Sequence, residues 1–194
     1  MRAPSRFDGL LTRPLIEARL AAIRPFLPPE GRVLDIGCGL TELPGRLASY
    51  LGCDRSEEML AENRKRHPEA RFARWDVEAS GPPEEVRGAG PFDAILMLAL
   101  LEHLRDPAAA LFRAAPLLVP GGRLLVTTPH PLGRLPLEAG AALGLLSRHA
   151  AGEHETLLSR KDLEAAGARA GLHLAVYRRF LLGLNQAAVF AAAP

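Results

Sequence analysis

Short apolar runs, the first three closed by a glycine or an acidic residue, alternate along the 194-residue chain with stretches whose apolar positions recur every three or four residues. Val33-Leu34 with Ile36, Tyr50 to Asp54, Arg71 to Asp76, Phe92 to Leu98 and Arg123 to Pro129 read as strands. The fourth is apolar throughout, as a central parallel strand is. Helical patterns lie around and between them. Pro14 to Leu27 puts Ile16, Leu20, Ile23 and Leu27 on one face, and Glu42 to Ala48 is expected to be a short helix with Pro44 in its first turn. Ser56 caps a helix that Arg64-Lys65-Arg66 and Pro68 close, and Pro107 to Leu118 and Ser159 to Ala170 are two more. Ser80 to Pro91, rich in Pro, Gly and Glu, is a surface connection with one helical turn. This alternation predicts one α/β domain, doubly wound around a mostly parallel sheet. Leu172 to Phe180 and Gln186 to Ala192 follow each other directly, so a C-terminal antiparallel hairpin completes seven strands. Residues 1–30 form a helical cap, 31–129 the core, 130–156 an expected lid insertion and 157–194 the last helix with the hairpin.

Composition narrows the partners. With 24 basic and 22 acidic residues the net charge is +2, so the chain as a whole carries no electrostatic footprint for nucleic acid. No apolar stretch reaches membrane-spanning length, and the first eight residues lack the apolar core of a signal peptide, so a cytoplasmic protein is expected. Cys38 and Cys53 fall near the ends of neighbouring strands. In a reducing compartment they read as small buried residues, and without a nearby His pair they make no zinc site.

The chemistry concentrates where the first strand ends, at Asp35-Ile36-Gly37-Cys38-Gly39. Two glycines at alternate positions let the backbone turn sharply and let a ligand approach the main chain closely. A dinucleotide turn of the G-x-G-x-x-G type would carry a third glycine, but Glu42 stands there and would repel a pyrophosphate. An acid followed by G-x-G resembles motif I of the class I S-adenosylmethionine-dependent methyltransferases, whose cofactor is a sulfonium cation. Thr41 departs from the family, which often has another glycine there. Gly52-Cys53-Asp54-Arg55-Ser56-Glu57-Glu58-Met59-Leu60 resembles the family's G-x-D-x-S-x-x-M-L segment, and Pro120-Gly121-Gly122-Arg123-Leu124 its P-G-G-x-L turn.

The resemblance implies a Rossmann-like methyltransferase fold, with S-adenosylmethionine as cofactor and Asp35, Gly37, Cys38, Gly39, Asp54, Arg55, Trp75, Asp76, Val77 and Leu98 around it. Asp54, about 20 residues past the glycine strand, is placed to meet ribose hydroxyls. Asp76 is the candidate acceptor for the adenine amino group, with Trp75 or Val77 beside the ring. Trp75 reads equally well as core packing. After the fourth strand comes Glu102-His103-Leu104, where open α/β sheets bind ligands. The Asn- or Asp-Pro-Pro-aromatic motif of the adenine- and cytosine-specific DNA methyltransferases is absent there. Quinone-pathway relatives carry an extra Glu three residues before the Glu, to help hold a metal; Ala99 occupies that position, and no metal is expected.

The implied reaction is direct in-line methyl transfer to a small molecule. His103, His130 and His154 are the general-base candidates for a hydroxyl acceptor, while a carboxylate acceptor hardly needs one. For His103 a structural hydrogen bond is the alternative. Leucines between residues 132 and 146, with Arg134, Arg148, His149 and His154, suggest an acceptor with apolar surface and an anionic group. A non-catalytic binding module is the rival reading.

Overall fold

A computed structural model describes residues 12–133 and 157–192. Seven strands make one sheet in the order β3-β2-β1-β4-β5-β7-β6. They are β1 (Arg32–Ile36), β2 (Ser49–Asp54), β3 (Arg71–Arg74), β4 (Phe92–Leu98), β5 (Leu118–Pro129), β6 (Leu172–Phe180) and β7 (Asn185–Ala192). β1 to β5 pair in parallel, and β7 runs antiparallel between β5 and β6, so the closing hairpin inserts its last strand beside the fifth.

The described helices are α1 (Thr12–Ile23), α2 (Glu57–Arg66), α3 (Glu84–Ala89), α4 (Pro107–Ala114) and α5 (Arg160–Arg169). Helices pack on both faces of the sheet, which makes the fold doubly wound. One face buries Val86 of α3, Ala110 and Leu111 of α4 and Leu163 of α5 against Leu34, Ile36, Ile95 and Val126. The other buries Leu20 and Ile23 of α1 against Val33, Leu96, Leu125 and Val189. The strand order reverses between β1 and β4, and ligands of such sheets bind in the crevice beyond the carboxyl ends at that reversal.

Three predicted helices change. The one expected over Pro107 to Leu118 ends at Ala114 in a 3-10 turn, Ala115–Leu117, that holds Pro116. The N-terminal one stops at Ile23 and continues as a 3-10 turn, Arg24–Phe26, because Pro25 has no N–H to extend the α ladder. No helix forms over Glu42–Ala48. The twelve residues 37–48 are the whole crossover from β1 to β2, and Gly45 takes a φ of +80°, a left-handed turn that ends any helix before it begins. Only an isolated bridge, Pro44 to Leu47, marks this stretch. Both cysteines are free thiols. Among the described residues no helix is long and apolar enough to cross a membrane.

Candidate active site

The glycine turn is held from three sides. Gly37 has a φ of +71°, and a Cβ there would lie 2.6 Å from the Leu100 side chain, so the position requires glycine twice over. The amides of Gly37 and Cys38 both donate to the Cys53 carbonyl, at 2.8 and 2.9 Å. The Gly39 amide donates to Asp54 Oδ2 at 2.8 Å, and that of Thr41 to Asn63 Oδ1 at 3.2 Å. Asn63 Nδ2 donates to the Gly39 carbonyl at 2.6 Å, and His67 Nε2 lies 3.1 Å from the Thr41 carbonyl. The turn's amides therefore point into the protein. A phosphate could not collect them, which agrees with the sequence argument against a dinucleotide.

What the turn offers a ligand is negative. Asp35 is buried and accepts a hydrogen bond from the Tyr50 hydroxyl at 2.9 Å. Burial pushes its carboxyl up to about 7, the Tyr50 bond opposes the rise and the Asp54 charge adds to it. Burial likewise raises both thiols, with the neighbouring carboxylates adding to it, Cys53 to about 12, so neither is a nucleophile.

Asp35, Gly37, Cys38 and Leu98 line a pocket that α1 closes with Ile16, Arg19 and Leu20. Covering the sheet and roofing the pocket are thus one task of α1. Arg19 Nε is buried without a hydrogen-bond partner, and so is Oε2 of Glu102. Burial lowers the Arg19 pKa while the Glu102 charge opposes the shift. The two stand close enough to interact, yet no ion pair joins them. Sequence reading passed over Arg19 because α1 displays it among ordinary surface arginines; only its place in the fold reveals it.

The remaining site residues take these positions. Asp54 also accepts from the Ser56 amide, at 2.8 Å through Oδ1. Arg55 is exposed. Asp76 is half-buried and uses Oδ1 to cap the turn at Glu78 and Ala79. Trp75 is 3% exposed, packs within the core and donates its indole N–H to the Ser80 carbonyl; Val77 is buried beside it. After β4, Ala99 takes a φ of +54°, unusual for a non-glycine residue, and turns the chain into a 3-10 turn, Leu101–His103. That turn buries Glu102 and leaves His103 half-buried.

His130 follows β5, where its Nδ1 accepts from the Leu132 amide at 3.1 Å. The accepting lone pair is thereby occupied and Nε2 carries the proton, which is the wrong tautomer for a base. Burial, helped by Arg179, lowers its pKa. His154, Arg134, Arg148 and His149, and all but the first four residues of the expected lid, lie outside the described residues. Among those described, no group of three or more His, Cys, Asp or Glu converges as a metal site.

A family profile described as Methyltransferase domain matches residues 10–175. The trans-aconitate 2-methyltransferase of Variovorax paradoxus is 36% identical over 130 residues, which cover 64% of this chain and 47% of that protein. The ubiquinone biosynthesis O-methyltransferase of a Caulobacter strain is 37% identical over 106 residues, covering 52% and 42%. The chain thus spans about half the length of the curated relatives it matches. Among solved structures, an S-adenosylmethionine-dependent methyltransferase from Mesorhizobium loti superposes with a TM-score of 0.70 at 20% identity, over 89% of this chain and 97% of that one. Magnesium protoporphyrin IX methyltransferase from Synechocystis gives 0.65 at 19%, over 93% and 83%. At such identities these two structures establish the shared fold.

Proposed function

Because the chain belongs to the methyltransferase-domain family, we propose that it binds S-adenosylmethionine beyond the carboxyl ends of β1, β2 and β4 and methylates a small molecule. When bound, that cofactor supplies an electrophilic methyl group, transferred in line to a lone pair of the acceptor, and is left as S-adenosylhomocysteine. The observation that carries the reading is the turn itself: its amides face inward while the Asp35 carboxylate and the buried Arg19 face one pocket. This arrangement suits a ligand with a sulfonium, an ammonium and a carboxylate.

Asp35 complements the positive end and Arg19 the carboxylate. Each Asp54 oxygen already holds one backbone amide and keeps lone-pair capacity for a ribose hydroxyl. Asp76 meets the adenine amino group through Oδ2, with Val77 packed beneath. Glu102, buried after β4 with its Oε2 unpartnered, receives a donor group of the acceptor. The protein's contribution is positioning and exclusion of water. A carboxylate or another already nucleophilic acceptor needs no base, which fits a site whose His130 is in the wrong tautomer.

The names of the matched relatives support small-molecule acceptors. The test is release of S-adenosylhomocysteine from S-adenosylmethionine with a panel of small carboxylic acids, trans-aconitate included, and phenols. Turnover with any of them establishes the enzyme. Tight cofactor binding with no turnover across a whole metabolite extract would leave a binding module instead.

A further inference from the structure

We propose that Asn63, with His67 at the C-terminal cap of α2, is the positioning residue of the glycine turn and thereby sets the geometry of the cofactor site. The inference rests on the cofactor reading above. Parallel strands are normally joined through a helix, whose later amides satisfy the carbonyls of its first turn. Here the crossover of residues 37–48 has no helix, so the peptide groups of Gly39 and Thr41 must find partners elsewhere. α2 supplies them.

Asn63 is wholly buried, the one polar residue among the buried positions of α2. Its Nδ2 donates to the Gly39 carbonyl at 2.6 Å and stands 3.9 Å from Cys38 Sγ, while its Oδ1 accepts from the Thr41 amide at 3.2 Å. Four residues on, and so on the same helix face, His67 reaches the Thr41 carbonyl at 3.1 Å. A side chain that presents a donor and an acceptor side by side is what two adjacent, oppositely polarised peptide groups require, and a carboxamide presents both. Asn63 touches the turn and not the ligand. It acts by fixing where the Gly37 to Gly39 backbone lies relative to Asp35 and Asp54.

The experiment is calorimetric titration of S-adenosylhomocysteine into the full chain and three variants, at a temperature where all are folded, with unfolding midpoints measured alongside. Asn63→Asp keeps the acceptor but sets an oxygen against the Gly39 carbonyl, and Asn63→Leu removes both groups. Leu60→Ala empties a wholly buried position one turn earlier on α2, away from the turn's hydrogen bonds, and controls for lost stability. Both Asn63 variants should bind at least tenfold more weakly, and Leu60→Ala within twofold of the parent. Should Asn63→Leu fail to fold, the comparison of Asn63→Asp with Leu60→Ala decides. Unchanged affinity in the Asn63 variants, or an equal loss in Leu60→Ala, overturns the proposal while leaving the cofactor reading intact. A parent chain that does not bind S-adenosylhomocysteine overturns both.

Discussion

Asp54 joins two jobs that a single substitution exposes together. It is the acceptor proposed for the ribose, and it anchors the Gly39 and Ser56 amides at 2.8 Å each. Asp54→Ala should weaken S-adenosylmethionine binding at least tenfold, about 1.4 kcal/mol, with the sheet intact by circular dichroism; unchanged calorimetric affinity would remove the ribose assignment. Asp35 gives a pH dependence of definite sign. Its carboxyl titrates near 7 in the fold and near 4 in the unfolded chain, so between those values the native state holds the extra proton. Stability without ligand should therefore fall as pH rises from about 4 to about 7, by at most roughly 1.4 kcal/mol per unit, and level off above. A cationic ligand favours the ionised form, so affinity for S-adenosylmethionine should climb as pH rises through 7. Titrations at pH 6 and 8 check this, and Asp35→Asn should flatten the profile. Equal affinities at the two pH values in the parent chain would separate Asp35 from cofactor binding.

α5 lies close on β7 at Gly167. A Cβ at Gly167 would stand 2.5 Å from the ring of Phe190, which is fully buried. Gly167→Ala must push that ring aside, and overpacking of this kind costs about 1–3 kcal/mol, a drop in melting temperature of several degrees. A midpoint equal to the parent's would show that the ring has room to move. The strands were legible in sequence because runs of four to seven residues are too short for a helix, and a glycine or an acid closes the first three. α5 was legible from its capping residues, and the structure shows the full reciprocal box between Ser159 and Asp162. The segment after the glycine turn was misread for a physical reason: Pro44 suits a first helical turn, but a twelve-residue crossover with a left-handed Gly45 leaves no length for a helix. Asn63 was illegible for the converse reason. Beside Glu62 and Arg64 on a strongly charged helix it reads as surface, and only the loop folded against α2 makes it core.

At the scale of the whole molecule the choice of cofactor is open to a simple thermal comparison. S-adenosylhomocysteine should raise the unfolding midpoint with concentration, and NAD should leave it in place, since a ligand stabilises only the state that binds it. A rise with NAD alone would restore a dinucleotide reading. The inward-facing glycine turn has one more consequence, and it concerns time. Its amides at residues 37, 38, 39 and 41 are hydrogen-bonded before any ligand arrives, so they should exchange with deuterium slowly in the free protein. The ligand would gain little further protection for them on binding. No ordering entropy is then charged to association, and capture of the cofactor should run at the rate of an ordinary diffusional encounter rather than wait on the turn to close.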